Sequence, residues 1–274
     1  MKAFGKDQRN GEAEAPPRVR HTSETIRAAA EEFLTLLDKW DEPDPDGYFE
    51  TLPISFYFQG LIEDQPGAWH TLIRNMIYGL DRFPSGRVLD IGCGHGLQSF
   101  VFARHGFEVI GLDTAKHRTA VSNRIAEAAD MPWLQYVTGD AREEVGRFEG
   151  SALWMHRSFH HIPEKADFDA SAIQFFRQAH RSLDPNGVMV FTTSNATGRS
   201  LLPGVSRGQH TAKHLRRLIE QADFEVTDIS YRGFLTGLPL KVRPRNAGQI
   251  DERLAKVPGL RRLGGGLMFA ATRR

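Results

Sequence analysis

The chain has 274 residues, 40% of them hydrophobic and 25% charged, which is ordinary for a globular protein. Its formal net charge of +1 argues against a protein that works mainly by gripping nucleic acid or an anionic membrane. The one cysteine excludes an intramolecular disulfide, and no run of 18 apolar residues predicts a transmembrane helix. The N-terminus lacks the apolar core of a signal peptide, so a cytoplasmic protein is expected.

The chain divides into three parts by composition and periodicity. Residues 1–21 are polar and proline-containing and are expected to form a mobile tail. Residues 22–84 carry two stripes of apolar residues at helical spacing, which predict a helical segment covering the substrate side of the following domain. That domain is expected to span 85–274, with insertions at 195–210 and 233–266 that interrupt the pattern.

From Arg87 onward, short apolar runs alternate with helical stretches. The runs predicted to be strands are 88–91, 107–113, 134–138, 152–156, 188–193, 224–231 and 267–272. Alternation of strands and helices predicts an α/β fold with a doubly wound, mostly parallel sheet and helices on both faces.

The most informative run is residues 88–96, Val-Leu-Asp-Ile-Gly-Cys-Gly-His-Gly, in which a buried strand enters a glycine-rich turn. Gly92, Gly94 and Gly96 let the backbone turn tightly and let a ligand approach closely. Dinucleotide sites use a similar turn, so the glycines alone leave both interpretations open. Asp90 favours the other one, because its carboxylate would repel a pyrophosphate but would suit a cationic ligand.

Two further acids follow the next two predicted strands. Asp113 ends the second strand, 113 − 92 = 21 residues after Gly92, where an acidic residue chelates ribose hydroxyls. Asp140 follows the third strand, where a carboxylate can accept a hydrogen bond from an adenine amino group. Each acid could instead only cap nearby backbone. Three acids at three successive strand ends nevertheless predict one wall of a ligand crevice.

These motifs resemble those of the class I S-adenosylmethionine-dependent methyltransferases. Residues 88–96 are similar to the first motif of that family, 109–113 to its ribose-binding strand end and 139–141 to its adenine-side motif. Residues 159–162 resemble the branch that includes ubiquinone and menaquinone methyltransferases and many natural-product enzymes. The resemblance implies a Rossmann-like sheet of seven strands whose last strand is antiparallel.

The resemblance also implies that S-adenosylmethionine is the cofactor. The residues it places at the cofactor are Asp90, Gly92, Cys93, Gly94, Gly96, Asp113, Thr114, Asp140, Ala141 and His156. His160 and His161 are the candidate catalytic bases, because a hydroxyl acceptor must lose a proton and histidine titrates in the right range. The alternative is that one of them only holds its loop. No metal site is expected.

The expected function is methyl transfer to oxygen or nitrogen of a small-molecule acceptor, with a homodimer as a candidate assembly. Three alternatives stay open: an RNA or protein methyltransferase, a cofactor-binding protein that has lost catalysis, and a nicotinamide dehydrogenase. Asp90 disfavours the dehydrogenase. The sequence has no Asn-Pro-Pro-Tyr or Asp-Pro-Pro-Tyr after the fourth strand, a motif of methyltransferases that act on nucleic-acid bases, which disfavours nucleic acid as a partner.

Overall fold

The computed structural model describes residues 17–46, 51–199, 210–233, 247–257 and 259–274. Residues 1–16 of the expected tail, and 200–209 and 234–246 of the two expected insertions, lie outside the described residues.

Helices and strands alternate along the described chain much as the hydrophobic pattern predicts. The helices are α1 (Ser23–Leu37), α2 (Gln59–Ile62), α3 (Pro66–Leu80), α4 (Leu97–Arg104), α5 (Lys116–Ala128), α6 (Ala141–Glu144), α7 (Phe168–Ser182), α8 (Ala196–Arg199), α9 (Ala212–Glu220) and α10 (Ala247–Ala255). The strands are β1 (Arg87–Ile91), β2 (Glu108–Asp113), β3 (Leu134–Thr138), β4 (Gly150–His156), β5 (Leu183–Ser194), β6 (Phe224–Arg232) and β7 (Gly266–Arg273). Thr22 caps the start of α1, where its side-chain oxygen accepts the Thr25 N–H at 3.2 Å.

The seven strands form one sheet in the order β3-β2-β1-β4-β5-β7-β6. Neighbouring strands from β3 to β5 run parallel, while β7 is antiparallel to both β5 and β6. The predicted fold is therefore confirmed, including the antiparallel last strand. Because β6 again runs parallel to β1, the carboxyl ends of six strands lie along one edge, and β1 and β4 are neighbours there.

The sheet buries a different hydrophobic cluster on each face. On one face Trp154 and Met268 pack beneath the helices α1, α3 and α4, with Phe33 of α1 in the same cluster. On the other face Phe269 packs with Phe176 of α7. Met268 and Phe269 are adjacent in sequence and point to opposite faces, as strand geometry requires. The N-terminal helical segment thus shares a core with the sheet.

Strand β5 begins earlier than its hydrophobic run suggests. The sequence predicts a turn at 184–187, between a helix and the strand, but the structure includes these residues in β5. The pairing of β4 with β5 shifts register just before Ala152, and Asn186 adopts the left-handed region with φ +65°. The turn residues therefore form an irregularity within the strand, because asparagine tolerates this conformation well.

Phe33 supplies a test of how α1 is joined to the sheet. It is fully buried, and its ring centroid lies 5.7 Å from that of Phe58 and 5.6 Å from that of Phe100. Phe33→Ala is expected to lower the free energy of unfolding by about 3–5 kcal/mol in urea denaturation. Ile62→Ala, at a site 54% exposed, is the control and should cost less than about 1 kcal/mol. Equal losses would show that α1 unfolds separately from the sheet.

Candidate functional site

The glycine turn follows β1 at the carboxyl edge of the sheet. Its glycines have φ values of +71° at Gly92, +56° at Gly94 and +84° at Gly96, which side chains rarely adopt. A Cβ at Gly92 would lie 2.3 Å from the Ser158 Cβ, and one at Gly96 would lie 2.5 Å from the Tyr136 ring. These two positions therefore need glycine both for conformation and for space.

Gly94 differs from its two neighbours, because a Cβ there would meet nothing within 4 Å. Its N–H donates to Asp113 Oδ2 at 2.9 Å, and the Ala115 N–H donates to Asp113 Oδ1 at 2.9 Å. The half-buried Asp113 carboxylate is thereby fixed over the turn, and Thr114 beside it is exposed. Each carboxylate oxygen keeps a second lone pair that can accept from a ligand hydroxyl.

Asp90 lies beneath the turn and is almost wholly buried. Its Oδ2 accepts the Ser99 hydroxyl at 2.6 Å. Burial, and then the charge of Asp113, raise the pKa of Asp90 to about 7. The carboxyl therefore holds its proton more tightly than a solvated aspartate does, and a cation bound nearby would favour its charged form.

Cys93 packs inside the turn. Its Sγ lies 3.0 Å from the position that a Cβ on Gly111 would occupy. Burial, and then the charge of Asp90, raise the pKa of the Cys93 thiol well above its usual value. A neutral, half-buried thiol is a packing group and not a nucleophile.

Asp140 follows β3, as the sequence indicates, but its carboxylate is bound locally. It caps α6 by accepting the Arg142 N–H at 2.8 Å, and it forms an ion pair with the Arg142 guanidinium at 2.5 Å. Hydrogen bonding to Arg142 lowers the pKa of Asp140. The capping alternative is thus present in the structure, and the adenine contact of Asp140 and the partly buried Ala141 stays a prediction.

His156 ends β4 on the face that carries Trp154, and the two rings stack at an interplanar angle of 10°. Its Nδ1 lies 3.1 Å from Thr192 Oγ1, which also accepts the Arg157 N–H at 2.8 Å. Burial, and then the charges of Arg157 and Arg232, lower the pKa of His156 to about 3. The imidazole is therefore neutral at physiological pH.

The loop after β4 is bound to the glycine turn. The Ser158 hydroxyl donates to the carbonyl of Ile91 at 2.5 Å, immediately before the first glycine. His160 and His161 follow in the 3₁₀ turn Phe159–His161, with ring centroids 3.9 Å apart. The structure thus brings the two predicted catalytic histidines to the loop that contacts the turn.

The sequence analysis missed a buried cluster on the other side of the turn. Asp44 is 0% exposed, and its Oδ2 lies 3.1 Å from His95 Nε2 and 3.0 Å from Arg118 Nε. Burial, and then the charge of Arg118, lower the pKa of His95 to about 4. Asp44 stands between Pro43 and Pro45, in a stretch whose prolines indicate only the end of a helix. No local signal in that stretch distinguishes a buried acid from a solvated one.

The N-terminal segment therefore contacts the glycine turn itself. Asp46 Oδ2 accepts the His117 N–H at 2.9 Å near the start of α5, and the Tyr57 ring lies 4.9 Å from that of His95. Coverage of the substrate side by residues 22–84 stays a prediction, and the described contacts join this segment to the glycine turn.

The site fits a ligand that combines hydroxyl groups with positive charge. The open side of Gly94 gives room for a ligand against the backbone, Asp113 offers carboxylate lone pairs, and Asp90 is a buried acid that a cation would ionise.

Within the described ranges no group of three or more acidic, histidine or cysteine side chains could hold a metal ion. None of the helices described there is long and apolar enough to cross a membrane.

The chain is similar to curated methyltransferases over part of their length. The ubiquinone biosynthesis O-methyltransferase of Azorhizobium caulinodans is 29% identical over 141 residues, covering 52% of this chain and 53% of the relative. That of Ruegeria pomeroyi is 29% identical over 163 residues, covering 53% of this chain and 62% of the relative. The chain thus spans between half and two thirds of the length of these relatives.

Solved structures share the fold at low sequence identity. The geranyl diphosphate C-methyltransferase of Streptomyces coelicolor A3(2) matches with a TM-score of 0.53 and 15% identity, over 89% of this chain and 98% of that one. Phosphoethanolamine N-methyltransferase 2 of Haemonchus contortus, in complex with S-adenosyl-L-methionine, matches with a TM-score of 0.52 and 19% identity. The match covers 73% of this chain and 52% of that one.

A family model described as a methyltransferase domain matches residues 63–229, which is more than half of the chain. That range contains the glycine turn, the acids at the ends of β1 and β2, and the loop after β4. The chain therefore belongs to the methyltransferase-domain family, whose cofactor is S-adenosylmethionine.

Proposed function

We propose that this enzyme methylates a hydroxyl oxygen of a small-molecule acceptor. One observation carries the proposal: the Ser158 bond to the Ile91 carbonyl holds the loop with His160 and His161 against the glycine turn. A hydroxyl must lose its proton to become a good nucleophile, and histidine is the usual base. The names of the curated relatives, which are O-methyltransferases, support oxygen over nitrogen.

We assign cofactor binding to the glycine turn and the acids around it. Asp113 would accept the ribose hydroxyls, Asp90 would balance positive charge, and the backbone at Gly94 would lie against the ligand. Cys93 and Thr114 would line the same side as small neighbours. The adenine would lie near Ala141, with Asp140 sharing its carboxylate between Arg142 and the ligand. When bound, S-adenosylmethionine supplies an electrophilic methyl group.

The protein supplies placement and proton removal. The rings of His160 and His161 lie side by side, with centroids 3.9 Å apart, on the loop that contacts the turn. One of these two imidazoles is the proposed base. His156 has a different proposed role. Thr192 Oγ1 already accepts the Arg157 N–H, so its own hydrogen is available for His156 Nδ1, leaving Nε2–H as a donor toward bound ligands.

Removing the Asp113 carboxylate tests the cofactor placement. Asp113→Ala is expected to weaken S-adenosylmethionine binding by about a hundredfold or more, because two charge-assisted hydrogen bonds are lost. Isothermal titration calorimetry measures this directly. Glu127→Ala, an exposed acid on α5, is the control and should bind as the wild type does. Wild-type affinity in the Asp113 variant would refute the assignment.

Replacing both His160 and His161 by glutamine tests the proposed base. The rate of S-adenosylhomocysteine formation, with a hydroxyl acceptor found by screening, is expected to fall about 10²-fold or more. Cofactor affinity should stay within about twofold, because these rings only remove a proton. His214→Gln, on α9 and paired with Asp169, is the control. An unchanged rate in the double variant would exclude both histidines from the chemistry.

The raised pKa of Asp90 predicts a pH dependence of cofactor binding. The cationic cofactor favours the ionised carboxylate, so binding should strengthen as pH rises through about 7. Between pH 6.0 and 7.5 the affinity is expected to rise roughly fivefold or more. Asp90→Asn should flatten this rise, and calorimetry at several pH values checks both. The effect of Asp90 on stability has the opposite sign. Without ligand, the free energy of unfolding falls as pH rises toward 7, because the folded protein holds the Asp90 proton more tightly than the unfolded chain does. A rise that persists in the variant would contradict the assignment.

A further inference from the structure

Arg232, the last residue of β6, places a partly buried guanidinium at the carboxyl edge of the sheet. Its Nη1 donates to the side-chain carbonyl of Asn75 on α3, and its Nε donates to Ser230 Oγ at 3.3 Å. The guanidinium carbon lies 4.9 Å from the centre of the Tyr78 ring. These contacts fix the guanidinium on the face of the sheet that α3 covers.

This guanidinium has no counterion among the described residues: no carboxylate oxygen there lies within 4.0 Å of it. Asp228 on the same strand makes its direct contacts elsewhere: its Oδ2 accepts the Tyr78 hydroxyl at 2.8 Å and Arg82 at 3.0 Å, and its charge acts on Arg232 without a direct contact. Burial, and then the charge of Arg74, lower the pKa of Arg232 to about 9. Charges withdrawn from water are normally paired, so a missing partner requires an explanation.

The guanidinium also keeps hydrogen-bonding capacity. Arginine has five N–H donors, and two of those of Arg232 are used by Asn75 and Ser230. The other three, 5 − 2, have no acceptor within the part of the chain that the structure describes. A fixed guanidinium with free donors is suited to a carboxylate or a phosphate, both of which it binds in a bidentate manner.

Two segments outside the described residues contain basic residues and no acid. Segment 234–246 follows β6 almost directly, and segment 200–209 follows α8. Neither contains an aspartate or a glutamate, and their basic residues are Arg207, Lys241, Arg243 and Arg245. These segments therefore contain no acid that could serve as the counterion of Arg232.

Arg232 lies on the same face and edge as the residue that ends β4. The pairing of the strands places His156, Thr192, Met268 and Ser230 in one row across β4, β5, β7 and β6. Arg232 is two residues beyond Ser230, so the two side chains lie on the same face of the sheet, and Arg232 is nearer the carboxyl edge. Three strand spacings, about 14 Å, separate β4 from β6. The charge of Arg232 reaches His156, whose pKa it helps to lower.

The cofactor's own carboxylate is too far away to be the partner of Arg232. The glycine turn follows β1, which is four strand spacings, about 19 Å, from β6. We propose that Arg232 binds a carboxylate or phosphate group on the methyl acceptor. The acceptor would extend from this anion along the row toward the end of β4, where its hydroxyl would react. Naming the anion as part of the acceptor rests on the proposed function.

Binding of small probes tests this site without any need for turnover. Protein saturated with S-adenosylhomocysteine is titrated calorimetrically with benzoate, phenyl phosphate and the neutral analogue benzamide. The wild type is expected to bind one of the two anions at least about tenfold more tightly than benzamide, as charge-assisted hydrogen bonds imply. Preference for benzoate indicates a carboxylate acceptor, and preference for phenyl phosphate indicates a phosphate acceptor. No preference for either anion would overturn the proposal.

Variants then assign the preference to one residue. Arg232→Met should abolish it, while Arg232→Lys should keep part of it as a point charge. Arg147→Met, an exposed arginine in the turn before β4 that pairs with Glu144, is the control and should keep the full preference. If Arg232→Met no longer binds S-adenosylhomocysteine, Arg232→Gln, which keeps a donor for Asn75, replaces it. An unchanged preference without the guanidinium would refute the site. Anion binding without methylation of any hydroxyl acceptor would refute only the proposed function.

Discussion

The close approach of Ser158 to Gly92 is the contact on which the arrangement of the site depends. Since a Cβ at Gly92 would lie 2.3 Å from that of Ser158, the two loops meet only because one of them is glycine there. The Ser158 hydroxyl then closes the junction on the carbonyl of Ile91. The loops that leave β1 and β4, which are neighbouring strands, are thereby joined to each other, and His160 and His161 follow Ser158 in the chain.

Charge is distributed unevenly along the carboxyl edge. The carboxyl groups of Asp90 and Asp113 lie at the ends of β1 and β2, whereas the guanidinium of Arg232 lies at the end of β6 on the other side of the sheet. In the proposed complex a cationic cofactor and an anionic acceptor would be drawn to opposite ends of one crevice. The neutral His156 and Thr192 lie between them. Methyl transfer to a deprotonated hydroxyl there would remove the positive charge of the cofactor, while the anion at Arg232 would keep its own charge.

The sequence predicts those parts of the protein that depend on local pattern. Strand runs, the glycine turn and the position of Asp113 follow from periodicity and spacing, and the sheet confirms the fold. Asp44 could not be found in this way, because its burial depends on contacts with His95, 51 residues away, and with Arg118. Arg232 belongs to no sequence motif either. That it lacks a counterion depends on the donors that Asp228 binds, which only the folded chain shows.

The link from Asp44 to the glycine turn joins two regions that the family comparison separates. The matched methyltransferase domain begins at residue 63, so Asp44 lies outside it, yet one carboxylate oxygen serves both His95 and Arg118 within it. A domain transplanted without its leading segment would leave that histidine and arginine without their shared acceptor. The packing of the glycine turn in this chain therefore depends on a residue that precedes the matched domain.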